Sequence, residues 1–137
     1  MGESSPQFDI GQIAEEHEDI RHRLERIEKQ SDIAQLEHAF AALIPLLEEH
    51  FRLEEDFNKS NMIDALNVAA DARRLLEIAN EHPELLEGAY QIKGQLAEHP
   101  AYCEVQQQIA DFVNQIRHHE ERETEVFMHA VWTDIGG

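Results

Sequence analysis

The chain has 137 residues, 42% of them hydrophobic, so it fits a single domain (1–137) that can bury a real core. Its 29 acidic and 11 basic residues give a formal net charge of −18, which argues against nucleic acid and anionic membranes as partners. Few aromatic residues, scarce glycine and proline and many good helix formers predict an all-α fold.

The sequence shows no signal for export or membrane insertion. No apolar stretch approaches the roughly 18 residues of a membrane span, and no basic-then-apolar leader occupies residues 1–8. The one cysteine, Cys103, has no partner for an internal disulfide. We therefore expect a protein of the reducing cytoplasm.

The spacing of apolar residues predicts the first two helices. Ile13 and Leu24 belong to a stripe that fits one face of a helix over about residues 9–29. A second stripe spans residues 36–57, although Pro45 within it deletes one backbone hydrogen bond.

Residues 62–79 permit two interpretations. Good helix formers and an apolar face indicate either an extra helix, around 63–79, or an early part of the third helix that breaks before Pro83. The break is plausible because a residue preceding proline avoids the α region. The sequence leaves both interpretations open.

Two further stripes complete the pattern. Leu85 and Leu96 mark a third predicted helix, and residues 112–126 mark a fourth, with Pro100 expected in its first turn. Four long amphipathic helices predict an antiparallel, up-down four-helix bundle.

Polar residues interrupt these stripes at matching places in the two parts of the chain. The first and third helices each carry one histidine at an inward position. The second and fourth each carry an inward His-x-x-x-Glu pair, flanked by apolar residues at the same steps. This pseudo-repeat predicts six side chains that point into the core: His17, His50, Glu54, His82, His119 and Glu123.

Two inward carboxylates predict bound cations, because burying an unpaired carboxylate costs on the order of several kcal/mol. Residues four apart on a helix lie roughly 5–6 Å apart at Cβ, so a histidine and a glutamate can reach one metal together. A carboxylate can bridge two cations that lie roughly 3.5–4 Å apart. These nitrogen and oxygen donors suit iron, manganese or zinc.

Some positions are less well fixed by the sequence. His82 precedes Pro83, so its direction is the least certain of the six. His118 competes with His119, but only His119 has a glutamate four residues later. His22 falls on another face of its helix, and three more histidines follow no pattern, so we expect them in solvent: His38, His99 and His129.

Signatures of several other sites are absent from the sequence. Ferritin-like di-iron proteins need Glu-x-x-His, whereas Leu47 and Ile116 stand three residues before the two histidines concerned. The sequence contains no His-Glu-x-x-His, no Gly-rich phosphate loop and no Gly-x-Ser-x-Gly elbow.

Four segments, one for each predicted helix, resemble the hemerythrin-like, or HHE cation-binding, domain family: EEHEDIRHRL, HFRLEEDF, NEHPELL and HHEERETEVF. The resemblance covers most of the chain and implies a non-haem centre of two iron ions, with manganese or zinc as alternatives. It implies bridging by Glu54 and Glu123, and terminal ligation by His17, His50, His82 and His119.

Four histidines and two glutamates are closer to the bacterial subgroup that contains iron-centre-repair proteins than to the oxygen carriers. The carriers use His-x-x-x-His in the third helix and His-x-x-x-x-Asp in the fourth, and neither stands at the matching positions, so dioxygen transport is not expected. The resemblance implies a protein that binds or responds to dioxygen, nitric oxide or peroxide, in stress response or iron-centre repair.

Two other functions stay open at this point. The centre could belong to a redox enzyme that reduces peroxide or nitric oxide. Alternatively, the inward polar residues could form a hydrogen-bonded layer in a metal-free helical interaction module. Metal analysis of the purified protein separates the last hypothesis from the others.

Overall fold

The computed structural model describes residues 10–57 and 69–136, with side chains described for 11–56 and 73–126. These residues form helices without any strand, which confirms the all-α class. In chain order the five helices are α1 (Ile10–Glu28), α2 (Ile33–Phe57), α3 (Ala69–Ala79), α4 (His82–Leu96) and α5 (Tyr102–Gly136).

Four of these helices form a closed bundle. α1 packs against α2, α2 against α4, α4 against α5, and α5 against α1. The connections from α1 to α2 and from α4 to α5 are short, so each reverses the direction of the chain. The predicted four-helix bundle is confirmed, and its helices correspond to the four apolar stripes.

The inward stripes meet in one apolar core along the bundle axis. Leu24, Phe40 and Val113 are fully buried within it, and the ring centroids of Phe40 and Phe112 lie 5.5 Å apart. Burial of each large apolar side chain stabilises the fold by roughly 1.5–3 kcal/mol. This core fixes the four helices rigidly enough to position polar side chains at one end.

The extra helix predicted around 63–79 is present in part. α3 begins at Ala69, ends three residues before α4, and packs against α5 through a buried face that includes Leu75 and Ile78. A turn at residues 80–81 separates it from α4, so the chain does break before Pro83, as both interpretations require. Residues 62–68 lie outside the described residues.

Local hydrogen bonds decide where the helices begin. The Gln35 N–H donates to the Asp32 carboxylate over 3.0 Å, which caps α2. Pro100 lies outside α5, not in its first turn as predicted, because α5 begins at Tyr102. The Ala101 N–H donates to the Glu104 carboxylate over 3.1 Å, and this bond fixes the start of α5 after the proline.

Candidate metal centre

All six predicted inward side chains meet at one end of the bundle, where α1, α2, α4 and α5 each contribute. They form two groups of four, and within each group one donor atom per residue lies within 4.8 Å of the others. The two groups share Glu54 and Glu123. One group adds His17 and His50, and we call it the His17–His50 half; the other adds His82 and His119 and is the His82–His119 half.

In the His17–His50 half, both imidazoles approach the shared carboxylates through Nε2. His17 Nε2 lies 3.0 Å from Glu54 Oε2 and 3.5 Å from Glu123 Oε1. His50 Nε2 lies 2.9 Å from Glu54 Oε2. His17 is 14% exposed, whereas His50 and Glu54 are fully buried.

The His82–His119 half repeats this arrangement. His82 Nε2 lies 3.5 Å from Glu54 Oε1 and 3.5 Å from Glu123 Oε2. His119 Nε2 lies 3.2 Å from Glu123 Oε2. Each shared carboxylate therefore faces imidazoles of both halves, which is the geometry of a bridging group.

Several buried nitrogen and oxygen atoms in this cluster make no hydrogen bond: Nε2 of His50, His82 and His119, and Oε1 of Glu54 and Glu123. Each unsatisfied buried polar atom costs about 1–3 kcal/mol. Imidazole nitrogens and carboxylate oxygens that converge without partners are the donor atoms of a cation site. The residues present therefore fit a metal pair.

The outward nitrogens of three histidines each donate to a glutamate outside the cluster. The Nδ1–H of His50 donates to Glu16 over 2.7 Å, and that of His82 donates to Glu55 over 2.8 Å. The Nδ1–H of His119 donates to Glu81 over 2.9 Å. A proton held on Nδ1 leaves the Nε2 lone pair facing inward, as metal-binding histidines require.

The carboxylates of the cluster strengthen proton binding by its imidazoles, and a metal ion competes with these protons. Burial alone would lower the pKa of His17, but its hydrogen bonds to Glu123 and Glu54 outweigh burial and raise the pKa to about 10. The pKa of His82 rises to about 10 for the same reasons. Burial likewise opposes the lowering at Glu123, but its imidazole partners hold its pKa well below the usual range. A metal ion must therefore displace protons on binding.

The position of His82 follows from the way α4 begins. His82 is the first residue of α4, and Pro83 lies in its first turn. A proline there costs no helical hydrogen bond, because the N–H groups of the first turn have no acceptor within the helix. The His82 ring stacks on Phe51, with centroids 4.0 Å apart and planes 5° from parallel. The proline therefore starts the helix and does not turn the histidine away.

The His17–His50 half is more open than the other half. A cleft of about 560 Å³ lies beside it, lined by His17, Arg21, Glu120 and Thr124 among others. Glu120 is 8% exposed, and its burial raises the pKa of its carboxyl to about 7. In the other half the His82 side chain is 2% exposed and its ring stacks on Phe51.

Four glutamates near the centre were not predicted from the sequence: Glu16, Glu55, Glu81 and Glu120. A signal existed for two of them, because Glu16 and Glu81 each precede a predicted histidine, so the pseudo-repeat includes a Glu-His dipeptide. The remaining histidines lie away from the cluster where they are described. His22, His38, His99 and His118 are exposed, and the His129 side chain is outside the described ones.

Comparison with known families agrees with this geometry. The family model of the hemerythrin HHE cation-binding domain matches residues 9–131, which is most of the chain and spans all six clustered side chains. No curated protein and no solved structure shows significant similarity to the chain. In the part of the chain that the structure describes, none of the helices has the length and apolarity to cross a membrane.

Proposed function

Because the chain belongs to the hemerythrin HHE cation-binding domain family, we propose that it is a non-haem di-iron protein. The observation that carries the proposal is the pair of four-residue groups that share Glu54 and Glu123. Two terminal imidazoles per cation and two bridging carboxylates form a complete protein-derived donor set for a metal pair. Manganese and zinc accept the same donors and are the alternatives to iron.

The small molecule that binds at this centre, or to which the protein responds, is dioxygen, nitric oxide or peroxide. An iron pair supplies Lewis acidity and redox capacity for such species. The protein holds the imidazoles in one tautomer through the outer glutamates, and the apolar core excludes bulk water from one side. The cleft beside His17 supports access for a small molecule from the other side.

At the cellular level we infer a cytoplasmic protein of oxidative or nitrosative stress response, of which iron-centre repair is one form. The four-histidine, two-glutamate set is the feature shared with repair-type members of the family. A redox enzyme that reduces peroxide or nitric oxide is the second candidate, and the open cleft beside the His17–His50 half is the observation that favours it.

A metal-free interaction module is the least favoured function. A hydrogen-bonded polar layer would satisfy its own buried atoms, whereas Nε2 of His50, His82 and His119 lies near the shared carboxylates without hydrogen-bond geometry.

Metal content tests the proposal directly. We expect about two metal ions per chain by elemental analysis, as the two four-residue groups imply. Glu54→Ala and Glu123→Ala should each reduce this content sharply, because each removes a bridge that both metals share. Glu121→Ala, at an exposed position two residues from Glu123, is the matched control and should leave the content unchanged. Equal content in all four proteins would refute the bridging assignment.

Gas titration of the iron-loaded protein then separates the two candidate activities. Anaerobically loaded protein is exposed to nitric oxide, dioxygen or peroxide, with and without an electron donor. A reversible spectral change without turnover indicates a binding or sensing protein. Continued consumption of the oxidant with the donor present indicates a redox enzyme.

A further inference from the structure

The two halves of the centre differ at two corresponding positions. Alignment of the pseudo-repeat pairs His50 with His119, so Phe51 in α2 corresponds to Glu120 in α5. Phe51 contacts both histidines of the His82–His119 half, stacked on His82 with centroids 4.0 Å apart and edge-on to His119 at 5.6 Å. The corresponding place beside His17 and His50 is therefore occupied by a carboxylate and not by an aromatic ring.

The second difference concerns the outer hydrogen bonds. In the His82–His119 half, both Nδ1 atoms donate to carboxylates, those of Glu55 and Glu81. In the other half, His50 donates to Glu16, but the partner of His17 Nδ1 is the neutral hydroxyl of Thr124 at 3.4 Å. The His17–His50 half thus has one outer carboxylate fewer.

The His17–His50 half has instead a buried carboxylate, Glu120, that accepts from neither histidine. Its side chain is more than nine-tenths buried, and its Oε2 atom has no hydrogen-bond partner. It lines the same cleft as His17 and Thr124, and it is close enough to His17 and His50 for their charges to act on it. A buried carboxylate without a partner is costly unless a cation compensates it.

We propose that Glu120 is a seventh metal-binding residue, a carboxylate ligand of the cation in the His17–His50 half alone. The inference rests on the proposed function, because it needs the metal pair. Glu120 lies outside the two four-residue groups, so the ligand role requires its side chain to rotate toward the cation when the site is loaded. The two cation positions would then be unlike: the position beside the cleft would have an extra oxygen ligand, and the other would lie beside the stacked rings of His82 and Phe51.

Stepwise metal titration tests this assignment. Glu120→Gln keeps the shape of the side chain and removes its charge, and the exposed Glu121→Gln is the matched control. With iron(II) under anaerobic conditions and a competing chelator, we expect Glu120→Gln to lose tenfold or more in affinity for one metal only. The control should keep both affinities of the unchanged protein.

Mössbauer spectra of protein loaded with iron-57 distinguish direct coordination by Glu120 from an effect of its charge at a distance. Two doublets are expected for the unchanged protein, and Glu120→Gln should alter one of them. Glu120→Asp keeps the charge but shortens the reach, so it should also lose affinity for one metal. Unchanged doublets in Glu120→Gln, or full affinity in Glu120→Asp, would overturn the ligand assignment. The proposed function stands if the unchanged protein binds two metals, whatever the Glu120 variants do. Both proposals fail if the unchanged protein binds none.

Discussion

The histidine rings of the centre divide their two nitrogens between two tasks. In His50, His82 and His119, Nδ1 donates to an outer glutamate and Nε2 points at the shared carboxylates. The outer glutamate fixes the ring orientation and increases the basicity of the inward nitrogen. We therefore expect the outer glutamates to influence metal affinity without contacting the metal.

Removal of one outer glutamate should weaken metal binding. Glu16 bonds to His50 alone among the cluster histidines, so Glu16→Ala leaves the other ligands supported. We expect a loss of roughly 10–100-fold in metal affinity, measured by competition with a chelator. Glu15→Ala, at the exposed neighbouring position, is the control. Equal affinities of the two variants would contradict the role assigned to Glu16.

Local features at the helix ends determine where the helices begin and how the chain leaves them. Asp32 caps α2, and Glu104 fixes the start of α5. The turn that follows α4 is strained, because His99 has a φ of 55°, in the left-handed region that favours glycine. Among the residues that the structure describes, His99 is the non-glycine residue with a positive φ.

Substitution of His99 by glycine should stabilise the protein. The left-handed conformation costs an L-residue roughly 1–2 kcal/mol, part of which is offset by the greater freedom of glycine in the unfolded chain. We expect His99→Gly to raise the free energy of unfolding by up to about 1 kcal/mol, measured by urea denaturation. Glu98→Gly is the control and should destabilise, since Glu98 lacks a positive φ. A lower stability for His99→Gly would show that the strain is compensated elsewhere.

The sequence predicts the four bundle helices and the six clustered side chains because one property determines both. A polar residue within a 3.6-residue apolar period must point inward, whatever its partner is. The start of α5 was missed because Glu104 decides it through one side-chain bond, which a rule about proline does not contain. The outer carboxylate Glu55 was missed because its partner His82 lies on another helix, and Glu120 was missed because no spacing rule marks a buried carboxylate beside the cluster.

For the molecule as a whole, the centre joins the α1–α2 pair to the α4–α5 pair. Glu54 of α2 faces His82 of α4, and Glu123 of α5 faces His17 of α1. Without metal, protonated imidazoles and carboxylates hold this end of the bundle together. With metal, the cations take the place of those protons.

The stability of the metal-free protein should therefore fall as the pH rises. The folded-state pKa values of His17 and His82, about 10, exceed the unfolded value of 6.5. Their contribution is complete below pH 6.5 and is lost as the pH rises toward 10. We expect the Tm of chelator-treated protein to fall by several degrees between pH 7 and 9.5. A double variant, His17→Gln with His82→Gln, should lose most of this slope, and an equal slope would rule out these two groups.

Chelation at neutral pH should lower the melting temperature. A metal that binds only the folded state stabilises it by about 2.7 kcal/mol per site when its free concentration is 100 times Kd. For a domain of this size each kcal/mol corresponds to roughly 2–4 °C. A difference of more than about 5 °C between loaded and chelated protein is expected by calorimetry. Identical melting curves would show that the centre does not hold the helices together.

The separation of partners along the chain has a consequence for how the protein assembles. Glu16 and His50 are 34 residues apart and Glu81 and His119 are 38 apart, whereas His17 and Thr124 are separated by 107. Each αα-hairpin can thus orient one imidazole, His50 or His119, through its own outer acid, whereas the Nδ1 partners of His17 and His82 lie on the other hairpin. Docking of the two hairpins brings Glu123 to His17 and Glu54 to His82, so we expect metal capture to coincide with the last step of folding.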